Sequence, residues 1–116
     1  MTASYDFEIE RGSTVPPVQF RLPLDGAGSE WRLKLRFPDD QFLALSTEAG
    51  TLTAENVIVD GVTKTLLTWP RTLEQSRQIP LGKVTAYELE QIEPSGGQRV
   101  WLDGYISGVG GLNDDV

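Results

Sequence analysis

The chain has 116 residues, with seventeen acidic and ten basic side chains, a net charge of -7 at pH 7, and neither cysteine nor histidine. This length suits one domain with its own hydrophobic core. Without cysteine or histidine the chain lacks disulfides, thiolate metal ligands and the commonest general base, so we expect no enzymatic activity and no cofactor. The acidic balance disfavours nucleic acid and anionic lipid as partners.

The first residues, Met1 to Asp6, lack the basic and then apolar order of a signal peptide. No apolar run approaches the roughly 18 residues that a membrane span needs. We therefore expect synthesis as a soluble cytoplasmic chain without a membrane partner.

Alternating apolar and polar residues predict strands in the first third of the chain. Tyr5, Phe7 and Ile9 alternate with acidic residues, and a second alternating segment, residues 18–22, follows a pair of prolines. The octet Glu30 to Phe37 alternates without a break, which predicts a half-buried strand. Its apolar side is assigned to the core, and its basic side, Arg32, Lys34 and Arg36, is predicted to receive an acidic partner.

The middle of the chain predicts a hairpin and a short helix. Asp60-Gly61 lies between apolar runs, the strongest local hairpin signal. Thr72 and Gln75 fit a capping box, so a helical turn is expected over residues 72–78. The following strand, residues 83–92, changes its apolar phase between Val84 and Tyr87, which indicates a bulge.

Side-chain parity predicts which residues of the last strand face outward. If Val100, Leu102 and Ile106 face inward, Trp101 and Tyr105 face outward and form a candidate partner surface. Residues 108–116 are rich in glycine and end acidic, which predicts a flexible acidic tail after a β-sandwich domain of residues 1–107.

About eight predicted strands at spacings of roughly 8 to 12 residues are typical of a sandwich. We expect an all-β, immunoglobulin-like antiparallel β-sandwich of about 7–8 strands, with a closed barrel as the alternative. Asp39-Asp40 favours a turn over a calcium site. Glu88 and Asp103 are the best carboxylates for a hydrolase, but no histidine base accompanies them.

The order of these segments resembles the small immunoglobulin-like domains of tailed-phage tail and baseplate proteins, including the N-terminal domain of upper baseplate proteins. The resemblance spans nearly the whole chain and rests on these segments: Tyr5 to Thr14, Phe20-x-Leu22, Trp31-x-Leu33, Thr72 with Ile79-Pro80-x-Gly82, Tyr87-Glu88-Leu89, and Val100-x-Leu102-x-Gly104-x-Ile106.

The resemblance implies a non-enzymatic adaptor of a phage or prophage virion that is oligomeric in the particle and binds other virion proteins. The tail, baseplate or fibre ranks first as its position. A head decoration protein and a carbohydrate-binding module are the alternatives. Because the chain ends soon after its last predicted strand, no attached receptor-binding module is expected.

Overall fold

The computed structural model describes residues 2–110, which form a β-sandwich with one short helix. The predicted all-β sandwich is thereby confirmed. In chain order the elements are β1 Ala3–Ser4, β2 Phe7–Arg11, β3 Val18–Leu22, β4 Glu30–Arg36, β5 Phe42–Ser46, β6 Thr53–Val59, β7 Val62–Trp69, α1 Leu73–Gln78, β8 Gly82–Ile92 and β9 Gln98–Gly110.

The strands form two sheets whose order is of the immunoglobulin type. The large sheet runs β1-β9-β8-β4-β5, with β2 also on β9, and the small sheet runs β3-β7-β6. Both β1 and β2 lie parallel to β9, whereas the remaining pairs are antiparallel. The predicted antiparallel sandwich thus carries parallel pairing at this one edge, where the first two strands join the last strand and leave β3 as an edge of the small sheet.

The core lies between the two sheets, and β4 supplies its central wall. Trp31, Leu33 and Leu35 are fully buried, and Phe37 packs against them partly buried. The indole Nε1 of Trp31 donates to the carbonyl oxygen of Gly26 at 2.8 Å, so the buried ring also holds the loop before β4. The alternation in the octet thus predicted its inward face correctly.

Helix α1 begins with the predicted capping box. The backbone N–H of Gln75 donates to Thr72 Oγ1 at 3.1 Å, and the backbone N–H of Thr72 donates to Gln75 Oε1 at 3.0 Å. The same Gln75 oxygen accepts from Trp69 Nε1 at 2.9 Å. Ser76 Oγ donates to the Glu10 carbonyl at 3.0 Å, which fixes the helix on β2.

The hairpin between β6 and β7 turns at Asp60-Gly61, as predicted. Both residues have positive φ, 53° and 78°, which is the pattern of a type I′ turn. The last residue of β3, Leu22, pairs with Thr65. The hairpin tip beyond Thr65 therefore continues as a two-stranded ribbon.

The end of the sandwich differs from the predicted boundary. Gly108 to Gly110 belong to β9 and pair with Ile9 to Arg11, so they are part of the sheet and not of a tail. The remainder of the predicted tail, residues 111–116, lies outside the described residues. Within residues 2–110 the only helix is six residues long, far shorter than a membrane-spanning helix.

Candidate interaction surface

Two irregularities in the pairing of β8 with β9 decide which side chains face outward. One register shift leaves Val84 as an extra residue between Lys83 and Thr85, which confirms the predicted bulge. The second lies between Leu89 and Glu90 on β8 and makes Trp101 the extra residue on β9. An extra residue reverses side-chain parity along a strand.

The second bulge separates Trp101 from Tyr105. Trp101 is half-buried against the core, and its Nε1 donates to Oε1 of buried Gln91 at 2.8 Å. Val100 instead pairs with Glu90. The expected outward pair of Trp101 and Tyr105 therefore does not exist, because the bulge turns Trp101 toward the rim of the core while Tyr105 stays exposed.

Tyr105 instead belongs to a row of four residues that crosses the outer face of the large sheet. Phe42 pairs with Arg36, Arg36 with Ala86, and Ala86 with Tyr105, one residue from each of four adjacent strands. We call Phe42, Arg36, Ala86 and Tyr105 the outer row. Three strand spacings place its two aromatic ends roughly 14 Å apart.

Both aromatic ends of the outer row are large exposed surfaces with a cation nearby. Phe42 is 56% exposed and Tyr105 is 46% exposed. Lys34 Nζ lies 4.4 Å from the Phe42 ring centre, and Lys83 Nζ lies 6.0 Å from the Tyr105 ring centre. The outer row therefore has an aromatic ring with a neighbouring lysine at each end. Arg36 and the small residue Ala86 lie between the two rings.

The three basic residues of β4 do share the outer face, as predicted, but acidic residues flank them. Arg32 Nε lies 3.1 Å from Glu30 Oε1. On β8, Glu90 pairs with Arg32 and Glu88 pairs with Lys34, whereas Arg36 faces Ala86. Arg36 is therefore the one of the three with no carboxylate directly across from it on β8.

The carboxylates considered for hydrolysis lie on this same face. Glu88 and Asp103 are direct cross-strand neighbours, and Asp103 Oδ1 accepts from Ser4 Oγ at 2.9 Å. In the part of the chain that the structure describes, no three acidic side chains gather closely enough to hold a metal ion.

The acidic pair Asp39-Asp40 forms a turn, as predicted. Asp39 Oδ1 accepts from the backbone N–H of Gln41 at 3.1 Å, and Asp40 has a positive φ of 63°.

The Tyr105 end of the outer row is held by Asp6, between β1 and β2. Asp6 Oδ1 accepts from the Tyr105 amide at 2.9 Å, and Oδ2 lies 2.7 Å from Lys83 Nζ. The hydrogen bond from Lys83 is the main reason that the pKa of Asp6 lies below its usual value, and the bond from the Tyr105 amide lowers it further. Asp6 in turn raises the pKa of Lys83. Below them the Tyr87 hydroxyl donates to the Tyr5 carbonyl, and burial raises the pKa of Tyr87.

Sequence reasoning missed Phe42 and Ala86 as surface residues. Phe42 begins an unbroken apolar run, residues 42–45, which assigns it no face, and Ala86 lies beside the bulge at Val84, where parity is ambiguous. The turn at residues 38–41 sets the register that pairs Phe42 with Arg36. A hairpin register drawn from that turn could have placed Phe42 on the outer face.

Comparison of the chain with protein-family models and with curated proteins finds no match.

Proposed function

We propose that this chain is a non-enzymatic adaptor domain that binds other structural proteins of a tailed-phage or prophage virion, in the tail, baseplate or fibre. The observation that carries the binding role is the outer row, with Phe42 and Tyr105 exposed at its two ends. Aromatic residues and arginine are enriched at protein interfaces.

The sheet beneath the outer row favours a protein partner. All four residues stand on paired strands, so a partner meets a rigid surface and little conformational entropy is lost on binding. A shallow pocket beside the Phe42 ring, lined also by Arg36 and Ala86, suits an inserted side chain. Lys34, Glu88 and Asp103 form the adjacent row and border the outer row with charged groups on one side.

The virion context rests on the resemblance of the sequence to tail and baseplate domains. The immunoglobulin-type strand order is consistent with it, because such sandwiches are the fold that the resemblance implies. The fold alone does not give a function. Head decoration remains the alternative position in the particle.

The test is to mix the purified domain with the other structural proteins of its particle and measure binding. The double variant Phe42→Ala/Tyr105→Ala is expected to weaken binding at least roughly tenfold, because it removes both exposed anchors. The matched control is Val62→Ala/Leu81→Ala, which truncates two exposed apolar residues outside the row. Binding that is equally strong in the Phe42→Ala/Tyr105→Ala variant would contradict the proposal for this surface.

A carbohydrate-binding module is the second candidate, since exposed rings on a flat sheet can stack on sugars. Trp31 and Trp69 are fully buried and Trp101 is half-buried, whereas Tyr5, Phe42 and Tyr105 are exposed rings, and of these Phe42 and Tyr105 belong to the outer row. Titration of host polysaccharide, followed by the amide NMR signals of residues 36, 42, 86 and 105, separates the two functions. Shifts confined to these residues would favour glycan binding.

A further inference from the structure

Strand β6 is an unpaired edge of the small sheet. It is seven residues long and stands at the end of the order β3-β7-β6. Its free edge presents backbone N–H and C=O groups along the whole strand, which is a template for pairing with another strand. Its register with β7 runs from Thr53 to Val59 without a bulge.

The β6 edge continues onto the ribbon that extends past β3. Beyond the pair of Leu22 with Thr65, the ribbon has no third strand, and Ile58 and Val62 there are 76% and 55% exposed. An isolated two-stranded ribbon is only marginally stable in water. Exposed β-branched side chains on such a ribbon favour its extension by another strand.

The other sheet edges are better protected. Strand β3 is preceded by Pro16-Pro17, and helix α1 covers the edge of β2, where Ser76 binds the Glu10 carbonyl. The end of β5 is covered by its own loop, since the Thr51 amide donates to the Ser46 carbonyl at 3.2 Å. Strand β6 contains no proline and a single charge, Glu55.

We propose that β6 pairs antiparallel with β6 of a second copy of this chain, around a two-fold axis at Asn56. The two small sheets then join into one six-stranded sheet. The occupant is a second copy because an antiparallel strand edge is complementary to itself, and a two-fold axis closes the assembly at a dimer.

The register around Asn56 follows from length and charge. Asn56 is the midpoint of Thr53–Val59, so this register alone opposes all seven residues while keeping both cores on the same side of the joined sheet. It places Ala54 opposite Ile58 and Glu55 opposite Val57 of the second copy. The two Glu55 carboxylates are thereby kept apart, which avoids a like-charge pair.

Each copy carries a net charge of -7, so the dimer forms against long-range repulsion. The attraction is backbone pairing and apolar contact, neither of which salt weakens. Added salt screens the repulsion and is therefore expected to strengthen the dimer, the opposite of the effect on an association held by ion pairs.

Sedimentation equilibrium of the whole chain, from roughly 10 µM to roughly 1 mM, tests the proposal. The mass is expected to rise from 12.8 kDa toward twice that value, at lower concentration in high salt. Val57→Glu places two carboxylates opposite the two Glu55 side chains and is expected to weaken the dimer at least roughly tenfold. Its cross-strand neighbour Lys64 favours folding of this variant.

Two further variants make the test specific. Val62→Glu adds the same charge to the same ribbon but on β7, and it is expected to dimerise like the unchanged protein. The double variant Glu55→Lys/Val57→Glu places a lysine opposite a glutamate twice and is expected to restore the dimer. Far-UV circular dichroism checks that each variant is folded.

A chain that stays monomeric at roughly 1 mM in high salt would overturn the proposal. The proposal would also be overturned if Val62→Glu weakened the dimer as much as Val57→Glu does. The same holds if Glu55→Lys/Val57→Glu is folded but fails to restore the dimer. The outcome is separate from that of the outer row, because Phe42→Ala/Tyr105→Ala leaves β6 unchanged and is expected to retain the dimer.

Discussion

Two buried threonines of the core differ in the state of their hydroxyl groups. Thr65 Oγ1 accepts from the Gly26 amide at 2.7 Å and donates to the Leu24 carbonyl at 2.8 Å. Thr85 is equally buried, but its Oγ1 has no hydrogen-bond partner among the described residues. A buried hydroxyl without a partner costs free energy, whereas a satisfied one stabilises the fold.

We therefore expect opposite effects from the same substitution at the two positions. Thr85→Val should raise the free energy of unfolding by about 1 kcal/mol, because it removes an unpaired polar group without a change of shape. Thr65→Val should lower it by about 2 kcal/mol, since two backbone groups lose their partner. Urea unfolding of both variants measures this, and a loss of stability in Thr85→Val would contradict the assignment.

Gly104 is required by a close approach of the backbone. A Cβ atom at this position would lie 2.3 Å from the Tyr5 carbonyl oxygen and 2.7 Å from Asp6 Oδ1. The φ angle of Gly104 is 155°, which residues other than glycine rarely adopt. We expect Gly104→Ala to lower the free energy of unfolding by more than about 2 kcal/mol. Gly28→Ala, with nothing within 4 Å, is the control and should change it by less than about 0.5 kcal/mol.

At the scale of elements, Asp6 joins the first strand to the last two. Its carboxylate binds the Tyr105 amide on β9 and Lys83 on β8, across the break between β1 and β2. Because the pKa of Asp6 is lowered in the folded state, its contribution to stability is present above its unfolded value of 3.8 and is lost as pH falls through the folded value. Lys83 has a raised pKa, so its contribution is lost only as pH rises above 10.5.

The expected result is that Asp6→Asn destabilises the protein between these limits and has a smaller effect near pH 3. Urea unfolding of the unchanged chain and the variant at both pH values gives the difference. Lys83→Gln serves as the background control, in which the effect of Asp6→Asn should shrink because its main partner is gone. An effect of Asp6→Asn that is the same at all pH values would show that the ion pair does not contribute.

The last strand shows which part of the candidate site sequence could predict. Tyr105 was correctly placed on the outer face, and so were Arg32, Lys34 and Arg36, since strict alternation determines side-chain parity along an unbroken strand. The outward placement of Trp101 is wrong because a single extra residue on β9 reverses that parity. The pairing of β9 with β8 decides which residue is the extra one. Local pattern carries no information about which residue of a strand its neighbour leaves unpaired.

At the scale of the whole molecule, the two sheets share one core. Trp31 from the large sheet and Trp69 from the small sheet both have no exposed surface and belong to the same cluster of buried residues. Neither sheet can bury its apolar face without the other. We therefore expect the described residues to unfold as one cooperative unit.

We expect tryptophan fluorescence and far-UV circular dichroism to report the same urea midpoint. The variant Trp101→Phe removes the half-buried indole, so that the remaining signal comes from Trp31 and Trp69. Separate midpoints for the two signals in this variant would show that one sheet unfolds before the other.

The fold class, the inward face of β4, the Asp60-Gly61 hairpin and the capping box of α1 could all be predicted from the sequence, because each leaves its pattern in residues close together in the chain. Three features could not be predicted in this way: the parallel pairing of β1 and β2 with β9, the place of Gly108 to Gly110 in the sheet, and the position of Phe42 and Tyr105 at the ends of one row. These depend on pairing between strands up to a hundred residues apart. Such pairing is determined by the packing of the whole core and not by the pattern of any one segment.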